Sequence, residues 1–232
     1  MTTIYLVRHG QASFGAESYD KLSSLGEEQA KYLGQFLGEI LKEIPLVVTG
    51  SMQRHQQTAS FSLNECFTNT NIEIDSKWNE FNHEEVLKIF EPKFGQPELL
   101  KAEIAKEKSI RDYLGKIFGG AIERWTSGHN DADYSETWLQ FQSRVLSALE
   151  QLCQKIQEQQ PKYAVVYTSG GVISAVTGHL LGLSTEKTFA LNWAIANASM
   201  TTIKLIDGQP ELLSLNEHQF MKEKDSKLLT WI

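Results

Sequence analysis

The chain has 232 residues, a formal net charge of −7 and a pI near 5.4, which argue against a broad surface for nucleic acid or an anionic membrane. Hydrophobic residues at 41% and charged residues at 22% describe an ordinary globular protein, long enough for one large domain or two small ones. No stretch is apolar enough to span a bilayer, and the N-terminus enters a strand with no basic region or signal core, so a cytoplasmic location is expected. Cys66 and Cys153 are then expected as reduced thiols, and neither stands in a metal-ligand spacing.

Ile4 to Val7 is a short apolar run of the kind that forms a buried parallel strand. It stops at Arg8-His9-Gly10, a guanidinium fork, an imidazole and a residue without Cβ. Open α/β sheets hold their ligands at the carboxyl ends of such strands. The triplet suggests an anion site in which histidine is the nucleophile. A polar loop, Gln11 to Leu22, follows. Ser24-Leu25-Gly26-Glu27 fits a capping box, with Ser23 as the competing N-cap. Ala30, Leu33, Leu37, Ile40, Leu41 and Ile44 repeat at helical spacing and should face a sheet, and Pro45 should end that helix. Leu46 to Thr49 is a second buried strand, closed by Gly50-Ser51. The strand–helix–strand order implies a sheet that is at least partly parallel.

The next helix should run from Ser51 to about Leu63, with Arg54, His55 and Thr58 in its first two turns. Ile72 to Ile74 is a weaker strand, followed by Trp78-Asn79-Glu80-Phe81-Asn82-His83. Residues 84–135 break the alternation. Val86, Leu87 and Phe90 read as helical, and after Pro92 and Pro97 a second helix is expected from Glu98 to about Trp125. The Lys–Glu alternation over 101–108 reads as a solvated face. We expect this segment to be a helical insertion over one side of the site, within a single domain spanning 1–232. A long helix is expected from about Ser135 to Gln159, with Trp138, Phe141, Val145, Leu149, Leu152 and Ile156 on its buried stripe. The most apolar strand, Tyr163 to Thr168, leads through Ser169-Gly170-Gly171 into a helix ending at Leu181, with Gly182 just past its end. A short helix near Thr185–Trp193 and a hairpin around Asp207-Gly208 follow, and the apolar tail Leu228 to Ile232 should dock.

Four pieces fall at strand ends or helix starts: Arg8-His9-Gly10, the run Ser51 to Ala59 with Arg54, Glu80, and Ser169-Gly170-Gly171. Their order and spacing, with Leu22-Ser23 before Gly26, resemble the histidine phosphatase superfamily from Thr3 to about Ile206. The resemblance implies a three-layer α/β/α sandwich of the phosphoglycerate mutase type, mostly parallel with an antiparallel C-terminal strand. It implies phosphoryl transfer through a phosphohistidine, without metal or cofactor. By motif, His9 resembles the nucleophile, and Arg8 and Arg54 the pair that clamps the phosphate. Glu80 falls where one branch has its general acid, with Glu84 and Glu85 as rivals. Ser169 and Gly170 lie at the phosphate-facing helix start, where a helix N-terminus favours an anion.

Two positions depart from the family pattern. Ser169 stands where the family has a second histidine, so a neutral donor replaces one that can be charged. Gly15 stands where many mutases have an asparagine. His55 and His83 are auxiliary candidates that would compensate. The reading is a metal-independent phosphomonoesterase acting on a small phosphate ester, possessing no nucleic-acid or membrane partner. The alternative is a phosphate-ligand binding or regulatory protein with little turnover. A mutase ranks third, because no paired arginines in the insertion would grip a substrate carboxylate. Specificity is expected to reside in 84–135 and around 11–19.

Overall fold

The computed structural model describes residues 1–13, 20–96 and 109–231. Two compact units emerge, Met1–Glu80 with Val145–Ile232, and Phe81–Arg144.

The first unit is built on one six-stranded sheet in the order β3-β2-β4-β1-β5-β6. Its strands are β1 (Thr2–Arg8), β2 (Leu46–Thr49), β3 (Ile72–Ile74), β4 (Tyr163–Thr168), β5 (Met200–Ile206) and β6 (Gln209–Glu217). β4 lies between β1 and β2, parallel to both, and β3 joins β2 in parallel. β5 runs antiparallel to β1, and β6 antiparallel to β5, across the Asp207-Gly208 turn. The central strands are apolar on both faces because both faces are covered. Val7, Val47, Val165, Tyr167 and Met200 pack with Leu33, Leu37, Leu41, Ala59 and Leu63 in one core cluster. Ile4, Leu6, Val48, Ala164 and Val166, on the opposite face, are equally buried. The result is a three-layer α/β/α sandwich.

Helix α1 (Ser24–Ile40) and helix α2 (Gln53–Cys66) form most of one layer. Ser23, not Ser24, caps α1, its Oγ accepting from Gly26 N at 3.0 Å. Ser23 Oγ also donates to Gln11 Oε1, so the cap is fixed by the loop after β1. Helix α1 ends at Ile40, short of Pro45, with Leu41 extended and buried while Ile44 is exposed. In a helix continued to Pro45 the ring would clash with the Leu41 carbonyl four residues back and offer it no N–H, so the chain leaves the helix at Leu41, which turns inward. Helix α2 begins two residues later than expected and runs three residues further.

Helix α3 (His83–Phe90), helix α4 (Ile110–Thr126) and the first residues of helix α5 (Trp138–Gln159) belong to the second unit. Its core is aromatic: Phe81 stacks on Trp125 with centroids 4.6 Å apart, and Trp138 and Phe141 pack around them. Trp125 Nε1 donates to Glu136 O at 2.9 Å, which satisfies the one polar atom of a buried indole. The expected start of the second helix at Glu98, the 101–108 alternation and Gly15 lie outside the described residues.

In the first unit, helix α6 (Gly170–Leu181) begins immediately after β4 and Ser169, and Gly182 ends it at φ +63°. Helix α7 (Thr185–Asn192) and helix α8 (Gln219–Lys224) follow. The tail docks as expected, with Leu228 buried in the core cluster. Cys66 and Cys153 are free thiols, and burial pushes the Cys153 thiol up to about 11. Among the described residues no helix is long and apolar enough to cross a membrane.

Candidate active site

The carboxyl ends of β1, β2 and β4 converge, and their following residues carry the polar side chains that the sequence singles out. The parallel ladder pairs Arg8 with Thr168 and continues one step, with His9 N donating to Thr168 O at 2.9 Å. His9 and Ser169 therefore stand side by side on neighbouring strand ends. Gly50 N donates to Tyr167 O in the same way, which brings the start of α2 to the same rim.

His9 is almost fully buried. Its Nδ1 lies 2.7 Å from the Gly10 carbonyl oxygen, which can only accept, so Nδ1 carries the proton. The lone pair is then on Nε2, and Arg54 Nε donates to it at 3.2 Å. Burial, then the charges of Arg54 and Arg8 and the nearby His55, hold the imidazole well below its ordinary range. A neutral imidazole with a bare Nε2 is the nucleophilic form. The His9 carbonyl accepts from Ala198 N at 3.2 Å and Asn197 Nδ2 at 3.3 Å. Ala198 adopts φ +53°, a conformation unfavourable for an alanine, beside the functional residue.

Arg54 lies in the first turn of α2 and is buried. Asp20 Oδ1 accepts from its Nη1 at 2.8 Å, and Asp20 Oδ2 accepts from Gln53 N at 2.8 Å. The guanidinium is held on one side by the carboxylate and on the other by His9. Arg8 donates from Nη1 to the carbonyls of Ile195 and of Trp231. Gly10 N donates to Thr58 Oγ1 at 3.1 Å, so this amide is directed into α2.

Ser169 is the N-cap of α6, but its side chain makes no capping bond. Its Oγ instead lies 2.6 Å from His55 Nε2, and both residues are fully buried. The His55 ring centroid is 5.6 Å from that of His9. The β2–α2 turn permits this close approach, since a Cβ on Gly50 would stand 2.2 Å from His55 Nδ1. Burial, then the Arg54 charge, holds His55 well below its ordinary range.

Glu80 reaches the start of α6, where its Oε2 accepts from Gly171 N at 3.0 Å. The segment before it is pinned by Thr168 Oγ1 donating to Trp78 O at 2.6 Å and Ser51 N donating to Asn79 Oδ1 at 2.8 Å. A Cβ on Gly171 would stand 2.2 Å from the Glu80 carboxylate, so a side chain there would push that carboxylate off the Gly171 amide. Of its rivals, Glu84 pairs with Lys88 at 3.1 Å, while Glu85 accepts from Ser135 N and Oγ; all lie in the second unit. His83, in that unit, opens α3.

The structure thus brings His9, Arg54, His55 and Ser169 together, with Arg8, Gly170 and Glu80 beside them. A Cβ on Gly170 would meet Asn192 Oδ1 at 2.4 Å and Arg8 Nε at 3.6 Å. Asp20, Asn197 and the Gln29–Thr230 pair behind Asn197 are absent from the sequence reading. Each is a common polar residue far along the chain from its partner, with no local signature. Among the described residues no three His, Cys, Asp or Glu side chains converge as metal ligands.

The family pattern of the histidine phosphatase superfamily (branch 1) matches residues 4–218. Solved structures share the fold. A phosphoglycerate mutase from Bacillus anthracis is 20% identical, with 96% of each chain covered and a TM-score of 0.65. A putative alpha-ribazole-5'-P phosphatase from Escherichia coli is 18% identical over 94% of this chain and 98% of that one, with a TM-score of 0.61. A phosphoserine phosphatase from Entamoeba histolytica is 18% identical over 95% of this chain and all (100%) of that one, with a TM-score of 0.62. No curated protein matches the chain.

Proposed function

The chain belongs to the histidine phosphatase superfamily, and from that membership we propose that it is a phosphomonoesterase acting through a phosphohistidine on His9. The observation that carries the reading is the His9 tautomer. Nδ1–H is fixed on the Gly10 carbonyl and leaves the Nε2 lone pair facing a buried guanidinium.

His9 Nε2 attacks the phosphorus of a small phosphate monoester while the bond to the leaving oxygen breaks. The Gly10 carbonyl steadies the positive charge that the ring acquires. Arg54 and Arg8 neutralise the phosphoryl oxygens, with Ser169 Oγ and the Gly170 amide as further donors, the chief need of a loose phosphoryl transition state. Glu80, protonated, gives its proton to the leaving oxygen. Water then attacks the phosphoenzyme, Glu80 takes its proton, and cleavage of the P–N bond returns neutral His9. No step requires a metal. A small-molecule substrate is in line with the neighbours named for alpha-ribazole phosphate and phosphoserine.

The test is hydrolysis of p-nitrophenyl phosphate by the full chain with chelator present. His9→Ala should abolish turnover and acid-labile labelling by substrate phosphate. Full activity in that variant would sink the mechanism. The second reading, a phosphate-binding protein with little turnover, draws support from the neutral Ser169 and from Glu80 lying on the Gly171 amide. Tight phosphate binding without hydrolysis in the same assay would favour it.

A further inference from the structure

Resting on that reading, we propose that His55 is a positioning residue whose Nε2–H holds the Ser169 oxygen, so that the Ser169 hydroxyl donates to the phosphoryl group beside His9. Three observations carry this. First, His55 Nε2 and Ser169 Oγ are 2.6 Å apart and both side chains are fully buried. Second, His55 Nδ1 is buried and has no hydrogen-bond partner among the described residues. Third, Ser169 adjoins His9 across the β1–β4 ladder, and residues in register on neighbouring strands point their side chains to the same face.

The second observation decides the direction of the bond. If Ser169 donated to Nε2, the ring proton would sit on Nδ1, a buried N–H with no acceptor. If Nε2 carries the proton, Nδ1 is left as a bare lone pair. Orphaned donors are rarer in folded proteins than under-satisfied acceptors. The ring therefore donates and Ser169 Oγ accepts. A hydroxyl has a single proton, and with its oxygen already accepting from His55 that proton is free to point elsewhere. Chained hydrogen bonds polarise one another, so the serine becomes a better donor than an isolated hydroxyl. No proton changes owner when the anion binds, and both groups stay neutral. Serine and histidine together thus place at this strand end a donor of fixed direction, without the charge of a protonated ring.

Nitrogen-15 spectra of histidine-labelled full chain read the tautomer without reference to turnover. They should show neutral His55 protonated on Nε2. Protonation on Nδ1 would overturn the proposal even if the enzyme is active. An inactive enzyme with the Nε2 tautomer would sink the phosphatase reading and leave the pair standing as an anion-binding device, read by orthovanadate affinity. In turnover of p-nitrophenyl phosphate, Ser169→Ala and His55→Phe should each lower kcat on the order of 10²-fold, with little change in KM. The double variant should be no slower than either single one, because one hydrogen-bond chain is being broken. His55→Gln, whose amide N–H reaches similarly far, should restore most of the loss. Additive effects, or wild-type kcat in Ser169→Ala, would refute the chain. Ser169→Ala keeps the ring and the backbone, so it decides the matter even if His55→Phe does not fold.

Discussion

His9 Nε2 and a bound phosphoryl group would compete for the same donor. Arg54 Nε points at the lone pair that must attack, at 3.2 Å, while Asp20 holds the far end of the guanidinium. Attack therefore requires Arg54 to transfer its Nε–H from His9 to a phosphoryl oxygen without leaving the pocket, and Asp20 is the anchor that allows it. Arg54→Ala should weaken inhibition by phosphate or vanadate by about 2–5 kcal/mol, the usual effect of removing one charged partner of a buried pair. Unchanged inhibition constants would rule out Arg54 as a clamp. Asp20→Ala should be milder. Its side chain is 38% exposed, so solvent screens the pair, and a loss of roughly 1–2 kcal/mol in kcat/KM is expected. An Asp20→Ala enzyme as impaired as Arg54→Ala would mean that Asp20 touches substrate itself. Of the residues that the sequence made legible here, Arg8, His9 and Arg54 are of scarce types, and all four, Ser169 included, stand at a strand end or at the helix start just beyond one. Asp20 and Asn197 were not, because an aspartate in a polar loop and an asparagine before a strand are ordinary until folding aims them.

Helices α1 and α2 cross so closely that a Cβ on Gly34 would stand 2.0 Å from the Ser62 carbonyl oxygen. Neither backbone can give way without moving a helix. Gly34→Val should destabilise the protein by about 3 kcal/mol or more, the upper range for overpacking, read as a fall in the urea midpoint at unchanged slope. Gly115 in α4 is the opposite case, with nothing within 4 Å of its added Cβ. Gly115→Ala should stabilise by about 0.5–1 kcal/mol through helix propensity alone. Equal effects from the two substitutions would refute the packing argument. Elements were legible for a related reason. β1, β2 and β4 are covered on both faces and so read as continuous apolar runs, and α1 and α5 have one buried stripe each. Sheet order was less so, since hydropathy says that β4 is buried but not that it sits between β1 and β2. Helix ends slipped where local chemistry outweighed periodicity, as at Ser23 and Leu41.

The first unit keeps two histidines, His9 and His55, deep in its interior next to a buried arginine. Both are held well below the ordinary histidine range, chiefly by burial and then by the Arg54 charge. In the unfolded chain each would titrate near 6.5. Between that value and the lower folded-state value the unfolded chain binds protons that the folded protein refuses. Stability is therefore fully present above pH 6.5 and falls as the pH drops below it. The slope is up to about 1.4 kcal/mol per pH unit for each histidine, and up to about 2.7 for the pair. The carboxylates begin to contribute only nearer pH 4, so the window between pH 6.5 and 5 belongs to the histidines. Urea midpoints at pH 7.5, 6.5, 5.5 and 5.0 should be level across the first interval and then descend. His55→Gln removes one of the two titrations and should roughly halve the descent, whatever it does to stability at pH 7.5. A wild-type midpoint that stays level down to pH 5 would mean that the interior admits the proton, by opening to water or by releasing Arg54, and that His9 is not kept neutral by its surroundings.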